Sequence, residues 1–270
     1  MESRHMNGKL ILITGASSGI GAETAKKFAA TGAHVLLLAR NADRLNQIAA
    51  GIKDIGGTVD IFPVDVGDWK AVKELGDHIQ TKIGVPDIVI NNAGGGKWRF
   101  IEETEYHEAY DMVAAPYLGA FFITKSLMPA FLKRNSGHIV NVTSFAAIIP
   151  FSGATCYIAA RKAMLGFHEA LTADLYGTNI RTSLAYFAKV KSPYWEHNPH
   201  SEERLPSSQK MIPVISAERA AQTIVDGILG NKKRITAPIM VRVLETSTQI
   251  FPCITRSIMN KTGYKRRREI

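Results

Sequence analysis

An apolar run, KLILITG, leads straight into ASSGIG and then into the amphipathic stretch AETAKKFAATG, which closes at Gly32. This reads as a buried strand, a glycine-rich turn and a helix. Gly15, Gly19 and Gly21 fall where the strand turns into the helix. Glycines there permit a tight turn and let the backbone approach a pyrophosphate closely. The first turn of the helix offers free N–H groups to an anion. Taken alone, such a cluster also fits an ordinary turn; the strand–turn–helix context favours the phosphate reading. No Gly-Lys-Ser/Thr follows, so this is not the loop that holds a nucleoside triphosphate.

The same alternation continues along the chain. AHVLLLAR, VDIFPVDV, PDIVINNAG, HIVNVTS and NIRTSLAYF read as further strands. Between them lie helical stretches, including long ones over 104–133 and 155–176. Apolar strands alternating with amphipathic helices predict an α/β, Rossmann-type, doubly wound parallel sheet with helices on both faces, in a single domain. The chain of 270 residues, 46% hydrophobic, suits one such domain. The pattern breaks near residue 190. Residues 190–215, which include SPYWEHNPHSEERLP, read either as a disordered loop or as an ordered lid; the aromatic residues favour the lid. SAERAAQTIVDGILG reads as a helix capped by Ser216, and RITAPIMVRVL as a last strand or a strand–helix junction. The expected division is a dinucleotide-binding and catalytic domain over 6–240 and a C-terminal extension with a basic tail over 241–270.

The net charge of +9 is concentrated late in the chain, in Lys232, Lys233 and Arg234 and in Lys261, Lys265, Arg266, Arg267 and Arg268. A solvated tail, an anionic membrane surface and a polyanion all fit this clustering. No basic stripe interleaved with aromatics exists, so a nucleic-acid partner is not expected. Residues 244–259 carry spaced apolar positions that suit packing on the body, on a second subunit or at a membrane interface. Cys156 and Cys253 suggest no disulfide framework, which points to a reducing, cytoplasmic setting. No metal-ligand motif is present, and no secretory leader is expected; MESRHM ahead of Met6 also fits a cloning remnant.

The second strand ends at Ala39 and Arg40, without the acid that grips the ribose diol of NAD. A guanidinium there can pair with a 2′-phosphate and stack on adenine, so NADP (NADPH) is the expected cofactor.

These features resemble the classical short-chain dehydrogenase/reductase family. TGASSGIG, including Ser17, Ser18 and Ile20, is similar to the family's cofactor loop. Asp65 and Val66 match the pair that borders the adenine. Asn91 to Gly94, NNAG, including Ala93, match the motif that supports the sheet and the adenosine ribose. Ser144 precedes Tyr157 by thirteen residues, like the family's catalytic serine and tyrosine. The resemblance implies that Tyr157 exchanges a proton with the substrate oxygen, that Ser144 hydrogen-bonds that oxygen, and that Ser192 contacts the nicotinamide amide. It also implies a homodimer or homotetramer built on the two long helices.

Three positions depart from the family's pattern. Arg161 stands where a lysine holds the nicotinamide ribose; arginine keeps the charge but is larger and planar. Lys162 lies on another face of the helix. Pro116 stands where an asparagine holds a relay water; a bent helix that frees the Met112 carbonyl is one replacement, a simple kink the other. Tyr186 and Phe187 stand near the usual Pro-Gly. They suit either a pocket wall or the core.

With Ser144, Tyr157 and a cation at 161 present, the expectation is an NADPH-dependent carbonyl reductase or alcohol dehydrogenase acting on a hydrophobic ketone or secondary alcohol. The alternative is a catalytically weak or inactive NADP(H)-binding protein. The expected substrate wall includes Trp98, Phe145, Ile148, Ile149, Phe151, Tyr186, Tyr194 and Trp195.

Overall fold

A computed structural model describes residues 6–266. The first half alternates β1 (Leu10–Thr14), α1 (Gly19–Ala30), β2 (His34–Ala39), α2 (Ala42–Asp54), β3 (Thr58–Pro63), α3 (Trp69–Lys82) and β4 (Ile88–Asn91). The second half continues with α4 (Tyr106–Val113), α5 (Gly119–Arg134), β5 (Gly137–Ser144), α6 (Thr155–Asp174) and β6 (Ile180–Phe187). Then come β7 (Val190–Lys191), α7 (Tyr194–His197), β8 (Ile215–Ser216), α8 (Ala217–Leu229), β9 (Arg234–Ile235), α9 (Ile239–Ile250) and α10 (Pro252–Thr262). The main sheet has seven parallel strands in the order β3-β2-β1-β4-β5-β6-β9; β7 and β8 pair separately. This is the α/β architecture expected from the sequence. The strand order reverses between β1 and β4, which opens a crevice at the carboxyl ends of the strands.

Alternation along each strand divides the core. Ile11, Ile13, Val35 and Leu37 pack against α1, α2 and α8. Leu10, Leu12, Leu36 and Leu38 face α3, α5 and α6. Both faces are apolar because both are covered. The side chains of Asn41, Asp68 and Ser216 cap α2, α3 and α8, each cap contributing about 1 kcal/mol. Ser18 precedes α1 but makes no such bond, and the first turn of α1 carries no acid.

The predicted helix over 104–133 is interrupted. Between α4 and α5, residues Ala114–Leu118 form one π-helical turn around Pro116. Proline has no N–H and its ring collides with the carbonyl four residues back. Widening relieves this: the Gly119 N–H reaches back five residues to Ala114. RITAPIMVRVL is a strand–helix junction, with β9 passing into α9. Among the described residues no helix is long and apolar enough to cross a membrane. Of the basic tail, Arg267 and Arg268 lie outside the described residues, as does most of MESRHM.

Candidate active site

A cavity of about 1050 Å³ opens at the carboxyl ends of the strands. Its first wall is the β1–α1 turn, with Gly15, Ser17, Ser18, Gly19 and Ile20 on the lining. Gly15 and Gly19 have φ of 66° and 55°, a region that favours glycine. With α1 uncapped by a side chain, its leading N–H groups remain for an anion. Gly21 plays another part. It is not on the lining, and a Cβ there would sit 2.3 Å from the Gly15 carbonyl oxygen. It lets the helix press against the turn.

The turn is tied to β4 by two residues that the sequence reading did not single out. Thr14 Oγ1 accepts from the N–H groups of Asn92 and Ala93, both at 3.0 Å. Asn92 Nδ2 donates to the carbonyls of Thr14 and Gly15. Asn91, expected beside the adenosine ribose, is buried off the lining and donates to Asn141 Oδ1 at 2.9 Å and Thr124 Oγ1 at 3.3 Å. Its place is between β4, β5 and α5. Asn92, its neighbour in the same motif, faces the cavity with Ala93 and Gly94.

At the outer end, Arg40, Asp65 and Val66 line the cavity. The Arg40 guanidinium lies 3.9 Å from the Asp65 carboxylate, and both side chains are largely exposed. Arg44 also lines this end and contacts His197 Nε2 at 3.0 Å. The lid thus reaches the cofactor end.

At the inner end, β5 delivers Ser144 and the first turn of α6 delivers Tyr157. Ser144 Oγ accepts from the Ala146 N–H at 3.2 Å, leaving its hydroxyl hydrogen to donate. Tyr157 is buried, its ring 5.2 Å from Trp98. One turn on, the Arg161 guanidinium carbon lies 5.0 Å from the Tyr157 ring centroid.

Arg161 is only 6% exposed, and its Nε has no hydrogen-bond partner. No carboxylate pairs with it among the described residues. A desolvated cation–π contact contributes about 2 kcal/mol, whereas burying an unpaired charge costs several. The guanidinium is therefore under-compensated and faces a cavity with room for polar or anionic atoms. Glycine is required opposite it. A Cβ at Gly94 would lie 2.9 Å from Pro116 Cβ and 3.0 and 3.1 Å from the two terminal Arg161 nitrogens. Pro116, Gly94 and Arg161 share one slot. A free guanidinium, open helix N–H groups and a backbone stripped of Cβ atoms suit a dinucleotide.

The lid is ordered. Tyr194 Oη donates to the Gly96 carbonyl at 2.6 Å and accepts from Trp98 Nε1 at 2.9 Å. Asn198 Oδ1 accepts the Gly96 N–H, and the buried Ser201 Oγ accepts the Trp98 N–H. Arg204 grips the Glu103 carboxylate at 2.6 and 3.0 Å. Burial, with the adjacent Tyr157 hydroxyl adding to it, raises the Tyr194 pKa well above the usual phenol value. Tyr194 stays a hydrogen-bond donor.

Trp98, Phe145, Ile149, Phe151, Tyr194 and Trp195 line the cavity as expected. Ile148 and Tyr186 do not. Tyr186 is fully buried, stacks on Phe145 and donates to Glu245 of α9. Phe187 is a core residue that also reaches the lining, and Ser192 lies on the wall beside Gly19. Much of the apolar lining comes instead from α9 and α10, through Leu244, Phe251, Ile254, Ile258 and Met259. Burial, then the Glu108 charge, pushes the Cys156 thiol pKa up, which keeps it protonated.

The short chain dehydrogenase family matches residues 9–203. Fatty acyl-CoA reductase of Acinetobacter baylyi is 33% identical over 258 residues, covering 95% of this chain and 84% of that protein. The chain belongs to the short-chain dehydrogenase family. The 17-beta-hydroxysteroid dehydrogenase 13 of Rattus norvegicus is 33% identical over 250 residues, covering 91% of this chain and 80% of that one. A short-chain dehydrogenase/reductase of Burkholderia phymatum, solved in complex with NAD, shares the fold with a TM-score of 0.82 at 22% identity, over 93% of this chain and 96% of that one. This short-chain dehydrogenase is accordingly an oxidoreductase of the NAD(P)(H)-dependent kind.

Proposed function

We propose that this short-chain dehydrogenase reduces hydrophobic ketones with NADPH, and oxidises the corresponding secondary alcohols in reverse. One observation carries the reading. Tyr157, Ser144 and the under-compensated Arg161 line the same cavity as the uncapped glycine turn, and the other walls are apolar.

When bound, NADPH supplies the hydride; the protein's own groups do the rest. Gly15, Ser17, Ser18, Gly19 and Ile20 would receive the pyrophosphate, with Gly21 keeping the turn tight. Arg40 would pair with the 2′-phosphate, and Asp65, Val66, Ala93 and Gly94 would bound the adenosine. Asn91 would support this end from beneath, and Ser192 would meet the nicotinamide amide. The Arg161 fork would bind the nicotinamide ribose hydroxyls, satisfying the orphaned guanidinium. Tyr157 donates its hydroxyl proton to the carbonyl oxygen as charge develops there. Ser144 donates a hydrogen bond to the same oxygen and stabilises that charge. The Met112 carbonyl, beside the π turn, would accept the relay water.

Two relatives carry printed names that concern lipid-like molecules, a fatty acyl-CoA and a steroid. Together with the aromatic and aliphatic walls, they support a long or polycyclic apolar substrate. Exposed Tyr106, Tyr110 and Phe121 on α4 and α5 support the self-association that the family implies.

The test is NADPH oxidation across aromatic ketones, steroids and 3-keto lipids, beside a Tyr157→Phe variant. Turnover that drops by about 10² to 10⁴ in the variant, with NADPH affinity kept, supports the reading. Tight NADPH binding without turnover of any carbonyl would leave a cofactor-binding protein with no reductase activity.

A further inference from the structure

Helices α9 and α10 divide their faces sharply. Val241 and Glu245 are buried inward on α9, while Thr255 and Met259 of α10 line the cavity. The outward faces leave Ile239, Val243, Ile250, Phe251, Ile254 and Ile258 between 45% and 74% exposed. Ile239 and Val243 stand one turn apart on α9, Ile254 and Ile258 one turn apart on α10, and Ile250 and Phe251 lie at the junction between them. The two helices pack on one another. Single exposed apolar residues need no explanation, but a stripe of large ones on paired helices does. Phe251, Ile254 and Ile258 are also part of the cavity lining. The apolar patch is therefore the rim of the substrate cavity.

The charge on this region has one sign. Arg242, Arg256, Lys261 and Lys265 are exposed. Glu245, the one acid between residues 239 and 266, is buried and engaged by Arg234 and Tyr186. Arg266 pairs with Glu102 at 3.3 Å.

We propose that the α9–α10 face docks on an anionic phospholipid surface, with the cavity mouth opening into the lipid. An amphipathic helix lies in such an interface with its apolar residues among the acyl chains and its arginine and lysine heads reaching the phosphates. Isoleucine and phenylalanine flanked by cations, with no exposed acid on α9 or α10, match that chemistry. A second copy of the chain fits this face poorly. A twofold contact would set one copy's Arg242, Arg256 and Lys261 against the same all-cationic face of the other. A protein partner would seal the apolar rim, whereas a bilayer is a source of apolar substrate that would otherwise cross water. Docking stands on the surface alone; delivery of a ketone from the bilayer rests on the reductase reading of the cavity.

The experiment is co-sedimentation of the full chain with vesicles of phosphatidylcholine, with and without phosphatidylglycerol, across a salt series. Val243→Asp and Ile250→Asp are the variants, because both residues are exposed and neither lines the cavity. The wild type is expected to pellet with the anionic vesicles, less at high salt, and each variant to bind about tenfold more weakly. A wild type that stays in the supernatant with both vesicles, or variants that bind as tightly as wild type, would overturn docking. So would a solution dimer that Ile250→Asp splits into monomers, because a second copy would then cover the face. Turnover of a short, water-soluble ketone is measured alongside. Its loss in the wild type would count against the reductase reading and leave vesicle binding standing.

Discussion

The two ends of the cavity are built by different means. The cofactor end is backbone: the Gly15–Gly21 turn, the first turn of α1 and the β4 end stitched on by Thr14 and Asn92. The aromatic end is side chain, with Trp195 packed edge to face on Trp98 and on Tyr194, and α9–α10 closing the far wall. A backbone site tolerates little change because no rotamer can relieve a collision. A side-chain wall can change shape while the cofactor end beside it stays as it is. Arg161 stands at the join, on the ring of Tyr157 and against Gly94.

The largest effect is expected at that join. Arg161→Met should lower kcat/KM by about a hundredfold to a thousandfold, with weaker NADPH binding by fluorescence titration. Arg161→Lys combined with Pro116→Asn tests the shared slot. The double variant should recover activity beyond the sum of the single effects, with a coupling of about 0.5–3 kcal/mol in a double-mutant cycle. Strict additivity would break the idea that the two positions act as one.

Acid should weigh next, and on the half that carries the substrate wall. Burial, then the charge of Arg181, lowers the His138 pKa to about 4; burial, then Arg234, does the same for His168. The His138 Nε2–H donates to Ser183, whose own hydrogen goes to Lys232 O, while Nδ1 has no partner. Unfolding lets both rings take up protons. Their contribution is therefore complete above the unfolded pKa of 6.5 and is lost as pH falls from there through about 4. The loss is on the order of 3 kcal/mol for each ring. Denaturant melts over that range should show it, and His138→Gln should flatten the curve.

Gly21→Val probes the backbone end alone. Its Cβ would press on the Gly15 carbonyl, so we expect about 1–3 kcal/mol of destabilisation and weaker NADPH binding, with the remaining activity keeping its substrate preference. A changed preference would mean that the two ends are not separate.

Tyr194→Phe makes the smallest and most local change. It removes the bonds to Gly96 and Trp98, worth about 1 kcal/mol each. KM for the ketone should rise about tenfold, with the NADPH Kd unchanged. An equal loss of cofactor affinity would show that the lid closes both ends.

Legibility in the sequence follows the same division. The strands and helices were readable because apolar alternation and amphipathic periodicity repeat over a few residues. The glycine turn was readable because a tight bend needs glycine locally. The motif was expected to support both the sheet and the cofactor; Asn91 bonds across the sheet while Asn92, one residue past β4, faces the cavity, because a one-residue step turns the side chain to the other face. Tyr186 suited either a pocket wall or the core, and it is core because β6 aims it at α9 and away from the crevice.

The sequence by itself determined the order of strands and helices, the glycine turn at the head of α1 and the thirteen-residue interval that puts Ser144 and Tyr157 on consecutive elements. All of these are encoded in local backbone preference and short periodicity. Only the tertiary structure decided which side chains stand together at the aromatic end of the cavity. Tyr194 bonds Trp98 across 96 residues, Asn198 meets Gly96 across 102 and Ser201 reaches Trp98 across 103. Such contacts depend on which loops the folded sheet brings together at its carboxyl edge, and no periodicity within the chain announces them.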